Sequence, residues 1–151
     1  SEVNERAILG HLSGQMVSGL ILSPCGQYRD RAQHITGLTM PFVLFDHKLD
    51  EVRSDFVGTD NVLASAMLTE HLIRLGHRRI GYIGGTPGLY TAEKRRQGFV
   101  ETMQASGIEV DPALLHSGHY NGEQGYEAAM RLLTMRQARP AAILAASNVM
   151  A

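Results

Sequence analysis

The stretch TEHLIRLGHRRIGYIGGTPG, residues Thr69–Gly88, holds three punctuated signals in twenty positions. Its first part closes a helical pattern in which Ala64, Met67, Leu68, Leu72 and Leu75 recur at the spacing of one apolar stripe, and Gly76 supplies the left-handed stop that helices favour. RRIGYIGG (Arg78–Gly85) then reads as a strand apolar on both faces, and the Gly/Pro-rich turn GGTPG leads into another helix. Helix, stop, doubly buried strand and turn form the repeating unit of a parallel sheet covered by helices.

The same alternation extends in both directions. Upstream, Glu5–Gln15 places Ile8, Leu12 and Met16 at helical spacing, and VSGLILS (Val17–Ser23) is a short charge-free run that reads as a buried strand. The turn Pro24-Cys25-Gly26 precedes a weaker helical stretch, Tyr28–Leu38, after which PFVLFD forms a second buried strand ending in Asp46. A polar link, His47–Asp55, leads to FVGTDN, where Asp60 or Asn61 is placed to cap the helix that runs to about Leu75. Downstream, a helix is predicted from about Ala92 to Ser106 with Phe99 and Met103 inward, then a short strand in LLHSGHY. A helix from about Gly122 to Gln137 carries Tyr126, Ala129, Met130 and Leu133 on one side, and AAILAAS is the last strand. The division between sub-domains is expected at Gly76-His77.

Composition bounds the function. The chain has 151 residues, 44% hydrophobic and 19% charged, with 14 basic against 15 acidic side chains. That is globular composition, and it offers no basic field for counterion-driven binding to nucleic acid. No run approaches the length of a membrane span, and SEVNERAILG lacks the basic-then-apolar order of a signal sequence. The single cysteine, Cys25, fits a reducing cytoplasm.

In open α/β sheets ligands bind beyond the carboxyl ends of the strands, which selects Ser23, Asp46, the Gly84-Gly85 turn, Tyr120, Ser147 and Asn148. The YIGGTPG turn lacks both GxGxxG and GxxxxGK[ST], so it reads as a plain strand-to-helix turn. His116 and His119 form a close pair with no third metal ligand nearby and read as surface or edge-strand residues, while His71 falls on the apolar stripe of its helix as a core or interface residue. Cys25 has no histidine partner at a recognised spacing and no serine elbow occurs, so neither a catalytic constellation, a metal site nor a cofactor is expected. In Lys94-Arg95-Arg96 both arginines lie near the inward face of their helix. Either could snorkel to solvent or clamp the hydroxyls or carboxylate of a small ligand. Tyr120 is either core or a flat platform for a sugar ring.

These segments resemble a known family. VGTDN, then TEHLIRLGHRRIGYIGG, then KRRQGFVETMQASGI, is similar to the effector-binding core of bacterial transcription regulators of the lac-repressor/galactose-repressor (LacI/GalR) type. MVSGLILSP resembles that family's V-D-G-I-I-L strand, with Ser18 where an aspartate is usual, and MPFVLFD its I-P-V-V-x-x-D strand. ARPAAILAASNVMA resembles P-D-A-I-F-x-x-N-D-x-x-A, with Ser147-Asn148 in place of the Asn-Asp pair. The resemblance implies an α/β, two-lobed periplasmic-binding-protein-like fold, with parallel sheets flanked by helices and present here only in part. Residues 1–76 would belong to the N-terminal lobe and 77–151 to the C-terminal lobe. It implies a non-enzymatic cytoplasmic sensor, expected to be a homodimer. The sensor takes a sugar, sugar acid or related metabolite in the cleft between its lobes, and reaches operator DNA only through a helix-turn-helix outside this chain. Carried over residue by residue, Arg95 falls at the arginine of RxxGF that commonly reaches the effector, and Tyr120 at a frequent stacking position. Ser147 and Asn148 line the cleft, Asp60 stands near the lobe junction, and Ser23 and Asp46 stand at strand ends. A transport-associated sugar-binding protein of the same architecture is the alternative, and a small doubly wound enzyme a third class lacking an identifiable catalytic group.

Overall fold

The computed structural model describes residues 2–13, 17–24 and 35–151. Met16, Cys25 with its turn, and most of the expected Tyr28–Leu38 helix lie outside the described residues. The elements run α1 (Glu2–Ser13), β1 (Leu20–Leu22), β2 (Phe42–Phe45), β3 (Asp55–Val57), α2 (Asn61–Arg74), β4 (Ile80–Gly84), α3 (Tyr90–Ala105), β5 (Leu115–Ser117), α4 (Gly122–Leu133) and β6 (Ala142–Ala145). Short 3-10 turns cover Pro112–Leu114 and Asn148–Met150.

The strands form two three-stranded sheets, ordered β1-β2-β3 and β5-β4-β6, and every pairing is parallel. The chain divides into two compact units, Ser1–Thr59 with Gly88–Tyr90, and Asp60–Pro87 with Thr91–Ala151. Their division differs from the expected one at Gly76, because α2 packs with the second sheet. Leu72 and Ile73 of α2 lie against the second core, and Val62 and Ser65 meet α3 at Gly98.

In the first unit Leu9, Ile35, Leu44, Leu49 and Val52 are the buried core. The helical spacing predicts Ile8 as an inward residue of α1, yet Leu9 is buried and Ile8 is exposed. The expected strand Val17–Ser23 contracts to three residues and is not covered on both faces, since Ile21 is exposed. The link before Asp60 contains a strand that periodicity does not reveal. β3 is three residues long, and its pairing with β2 in register Leu44↔Phe56 defines it. Phe56 also meets Tyr90 edge to face at 5.8 Å.

In the second unit β4 is buried along its whole length. Tyr82 stacks on Phe99 with ring centroids 4.8 Å apart, and Met103, Leu132, Leu144 and Met150 complete the core around them. Each such side chain contributes roughly 1.5–3 kcal/mol on leaving water. Gly76 and Gly107 close α2 and α3 in the left-handed conformation that glycine adopts without a Cβ clash.

Two helices turn differently from the expected way. The buried residues of α2 are Asn61, Ser65 and Thr69, whereas Met67, Leu68 and Leu75 are exposed. His71 is exposed too. The cause is steric. A Cβ at Gly98 of α3 would overlap the Val62 carbonyl and sit 3.1 Å from Ser65 Cβ, so α2 presents its small residues where the backbones are this close. The polar groups brought inside are satisfied in part, with Thr69 Oγ1 donating to the Ser65 carbonyl at 2.8 Å. In α4 the buried residues are Gly125, Ala128 and Leu132, and Tyr126, Met130 and Leu133 are exposed. A Cβ at Gly125 would lie 2.9 Å from Met150 Cβ, so the helix turns its smallest residue to the Asn148–Met150 turn. No helix among the described residues is long and apolar enough to cross a membrane.

Candidate functional site

At the carboxyl edge of the β5-β4-β6 sheet the strands hand over to three loops held in register by backbone bonds. Gly118 N–H donates to the Gly84 carbonyl at 2.8 Å, and Ala146 N–H to the Ile83 carbonyl at 2.9 Å. α3 begins beside these loops and carries the arginine pair that a helical wheel alone leaves unresolved.

The structure separates the two arginines. Arg95 is half-buried and Arg96 exposed. Arg95 Nε donates to Asn61 Oδ1 at 2.7 Å and its Nη1 to the Ala146 carbonyl at 2.6 Å. Nη2 makes no bond to the described residues, so one arm of the fork is not used within them. The RxxGF pattern thereby acquires a physical reading. Arg95 joins the starts of α2 and α3 to the end of β6, Gly98 lets α2 approach, and Phe99 is fully buried against Tyr82.

The Asp-Asn pair divides its labour. Asp60 is the cap, its side chain accepting from Leu63 N–H at 2.9 Å. Asn61, 2% exposed, is the acceptor that orients Arg95. Sequence reading treats Asn61 only as an alternative cap and so misses this role. The contact spans 34 positions and leaves no local signal.

Tyr120 lies across the glycine turn. A Cβ at Gly85 would overlap the hydroxyl end of the Tyr120 ring, so the second glycine of YIGG is required by the aromatic beside it. His119 and Tyr120 both hold positive φ, 50° and 55°, a conformation costing of order 1 kcal/mol or more per non-glycine residue. The Tyr120 hydroxyl lies 3.1 Å from Thr91 Oγ1, either of which can donate. Thr91, 3% exposed, is a second residue that sequence reading misses. Ser147 caps the turn Asn148–Met150, its Oγ accepting from Val149 N–H at 3.3 Å. Asn148 is exposed beside it.

The second unit therefore brings Arg95, Tyr120, Ser147, Asn148 and, through α2, Asp60 into one unit. Ser23 and Asp46 belong to the first unit, at the ends of β1 and β2. Asp46 has φ 63° and donates its N–H to the Val57 carbonyl at 2.9 Å, and its carboxylate stands 3.5 Å from His47 Nε2. A short polar residue tolerates that left-handed position. Among the described residues no cluster of three or more His, Cys, Asp or Glu side chains could hold a metal ion.

The chain is similar to proteins already known. Residues 69–151, more than half the chain, match the family model of a periplasmic-binding-protein-like domain. The chain is 32% identical to the HTH-type transcriptional regulator CelR of Thermobifida fusca, over 99% of its own length and 44% of the relative's. It is 32% identical to the HTH-type transcriptional repressor PurR of Serratia proteamaculans, over 97% of its own length and 43% of the relative's. It is also 30% identical to the ribose operon repressor of Haemophilus influenzae, over 93% and 42%. Among solved structures, a transcriptional regulator CelR–cellobiose complex superposes with a TM-score of 0.87 at 30% identity, over 99% of this chain and 46% of that one. A LacI-family transcriptional regulator from Mycobacterium smegmatis gives 0.83 at 26% identity, over 98% and 55%. The chain spans less than half the length of these curated relatives.

Proposed function

Since the chain belongs to the periplasmic-binding-protein-like family of LacI-type transcription regulators, we propose that it is the effector-sensing portion of such a regulator. Its ligand is a small sugar, sugar acid or related metabolite, and it performs no chemistry on that ligand. Operator binding belongs to residues outside this sequence, consistent with a charge of −1 that attracts no nucleic acid. The working form is a cytoplasmic homodimer, and the two compact units are parts of the two lobes of the sensor, with α2 assigned to the second.

The observation that carries the reading is the half-used guanidinium of Arg95. Two of its arms are fixed by Asn61 and the Ala146 carbonyl, which orients the group in advance, and the third is left to donate. Donors held in this way bind hydroxyl or carboxylate oxygens without a large ordering cost. The Tyr120 ring on the same sheet edge offers the flat apolar face on which a sugar ring stacks, and the Asn148 amide offers both donor and acceptor. The relative solved with cellobiose supports a sugar as the ligand class. Asp60 serves as helix cap.

The test is a thermal-shift screen of mono- and disaccharides and sugar acids against the chain and its exposed variant Asn148→Ala. At least one sugar is expected to raise the melting temperature of the parent, with the shift reduced in Asn148→Ala. A panel in which no sugar or sugar acid moves the transition would overturn the reading.

A further inference from the structure

Arg95 carries a charge that the second unit does not balance. The guanidinium is half-buried, and both acceptors that hold it are neutral, the Asn61 amide oxygen and the Ala146 carbonyl. Among the described residues, close contacts between basic and acidic side chains join His47 to Asp46, Lys48 to Asp50, Arg79 to Asp111 and Arg131 to Glu127. Arg95 is in none of them. A cation partly withdrawn from water loses hydration that neutral acceptors restore only in part, and an anion held against it restores more.

The neighbouring groups do not supply that anion. Asp60, next to Asn61, is exposed and uses its carboxylate to cap Leu63 N–H. Glu93 is exposed too and precedes Arg95 by two positions on α3, a spacing that turns the two side chains to different sides of the helix. Tyr82, stacked on Phe99 of α3, stays a neutral phenol. Burial, and then the charge of Tyr120, raise its pKa well above the ordinary tyrosine value against the opposing pull of Arg95 and Arg96. Ser147 and Asn148, which follow the carbonyl that Arg95 grips, are uncharged. Ser147 Oγ donates to Asn148 Oδ1 at 3.4 Å, which leaves the Asn148 side-chain NH2 to donate outward. The edge therefore presents donors in excess, in Arg95 Nη2 and the Asn148 amide, and the exposed Arg96 adds a second cation beside the Gly84-Gly85 turn. A neutral sugar hydroxyl both donates and accepts, whereas a carboxylate or phosphate oxygen only accepts.

We propose that the ligand of this edge is an anionic sugar, whose carboxylate or phosphate takes the remaining Nη2 arm of Arg95 and the Asn148 amide while its ring lies on Tyr120. The proposal rests on the reading of the chain as a sugar sensor and narrows its ligand to acids. The ligand then brings the counter-charge that the fold does not provide, and the arms fixed by Asn61 and Ala146 hold the guanidinium ready for it.

Glucuronate, galacturonate and glucose 6-phosphate are titrated by calorimetry into the 151-residue chain, with glucose and galactose as the neutral parents. At least one anion is expected to bind at least tenfold more tightly than its parent sugar, and added salt should weaken the anion while leaving the neutral sugar unchanged. Binding of the uronates alone identifies a carboxylate ligand, and of glucose 6-phosphate alone a phosphate ester. Asn148→Asp, at an exposed position, sets a carboxylate close to the guanidinium and should weaken the anion at least tenfold while changing the neutral sugar far less. Neutral sugars that bind as tightly as the anions, or an Asn148→Asp protein that keeps its anion affinity, would overturn the anionic ligand and leave the sugar sensor standing. Absence of binding by every anion overturns the proposal as well, and absence of binding by every sugar and sugar acid overturns the sensor reading with it.

Discussion

Removing the Arg95 side chain tests whether the guanidinium is built into the second unit as well as being available to a ligand. Arg95→Ala deletes two bonds, at 2.7 Å to Asn61 Oδ1 and 2.6 Å to the Ala146 carbonyl. Hydrogen bonds to a charged group contribute about 1.5–3 kcal/mol each in net terms. Non-additivity and the partial hydration of a half-buried guanidinium bring the sum to about 2–4 kcal/mol. Most of the cost comes from Asn61, which at 2% exposure has no water to replace the lost donor. Asn61→Ala removes the acceptor instead and leaves Arg95, half-buried, to find water, so its cost is expected to be smaller, about 1–2 kcal/mol. The double variant is then less destabilised than the sum, with a coupling of about 1–2 kcal/mol, as expected for groups in direct contact. Urea denaturation of the four proteins followed by circular dichroism measures the cycle. A cost for Arg95→Ala below about 0.5 kcal/mol, or additive single variants, would refute the view that Asn61 orients the arginine.

Other consequences are as specific. Gly98→Ala forces a methyl group onto the Val62 carbonyl, and the backbone shift needed should cost about 1–3 kcal/mol in the same denaturation assay; a neutral result would mean that α2 and α3 are not held this close. Asp60→Ala removes the cap bond to Leu63 N–H and should lower stability by about 1 kcal/mol, with Asp60→Asn recovering most of it. Asp111 accepts from Ala113 N–H and from Arg79 Nη2 at 2.7 Å, and these bonds, the backbone one first, hold its carboxyl below the usual carboxylate range. Its contribution is therefore fully present above the unfolded value of about 3.9 and is lost as pH falls through the lower folded value. Asp111→Asn should accordingly flatten the acid limb of the stability profile, and an unchanged limb would count against that coupling.

The parallel α/β architecture is legible because its signals are local. The doubly buried IGYIG strand, the left-handed Gly76 and Gly107, and the cap at Asp60 all declare themselves within a few residues. The faces of α2 and α4 do not, because the usual rule, apolar side inward, fails where helix backbones approach closely enough to demand Ser65, Thr69 and Gly125. β3 escapes for another reason, since three residues carry too little periodicity and its existence rests on pairing with β2. At the candidate site, Arg95 and Tyr120 stand out from strand-end position and family pattern. The two groups that hold them, Asn61 and Thr91, lie 34 and 29 positions away, a distance over which a single sequence carries no visible signal.

Calorimetric titration of the strongest-binding sugar from the screen into the parent chain and into Tyr120→Ala puts the proposed sensing role to its most direct test. Loss of the ring that lies on Gly85 is expected to weaken sugar binding about tenfold or more, equivalent to about 1.4 kcal/mol. Equal affinity in the two proteins, or no heat from any sugar or sugar acid, would contradict a sugar sensor built on this sheet edge.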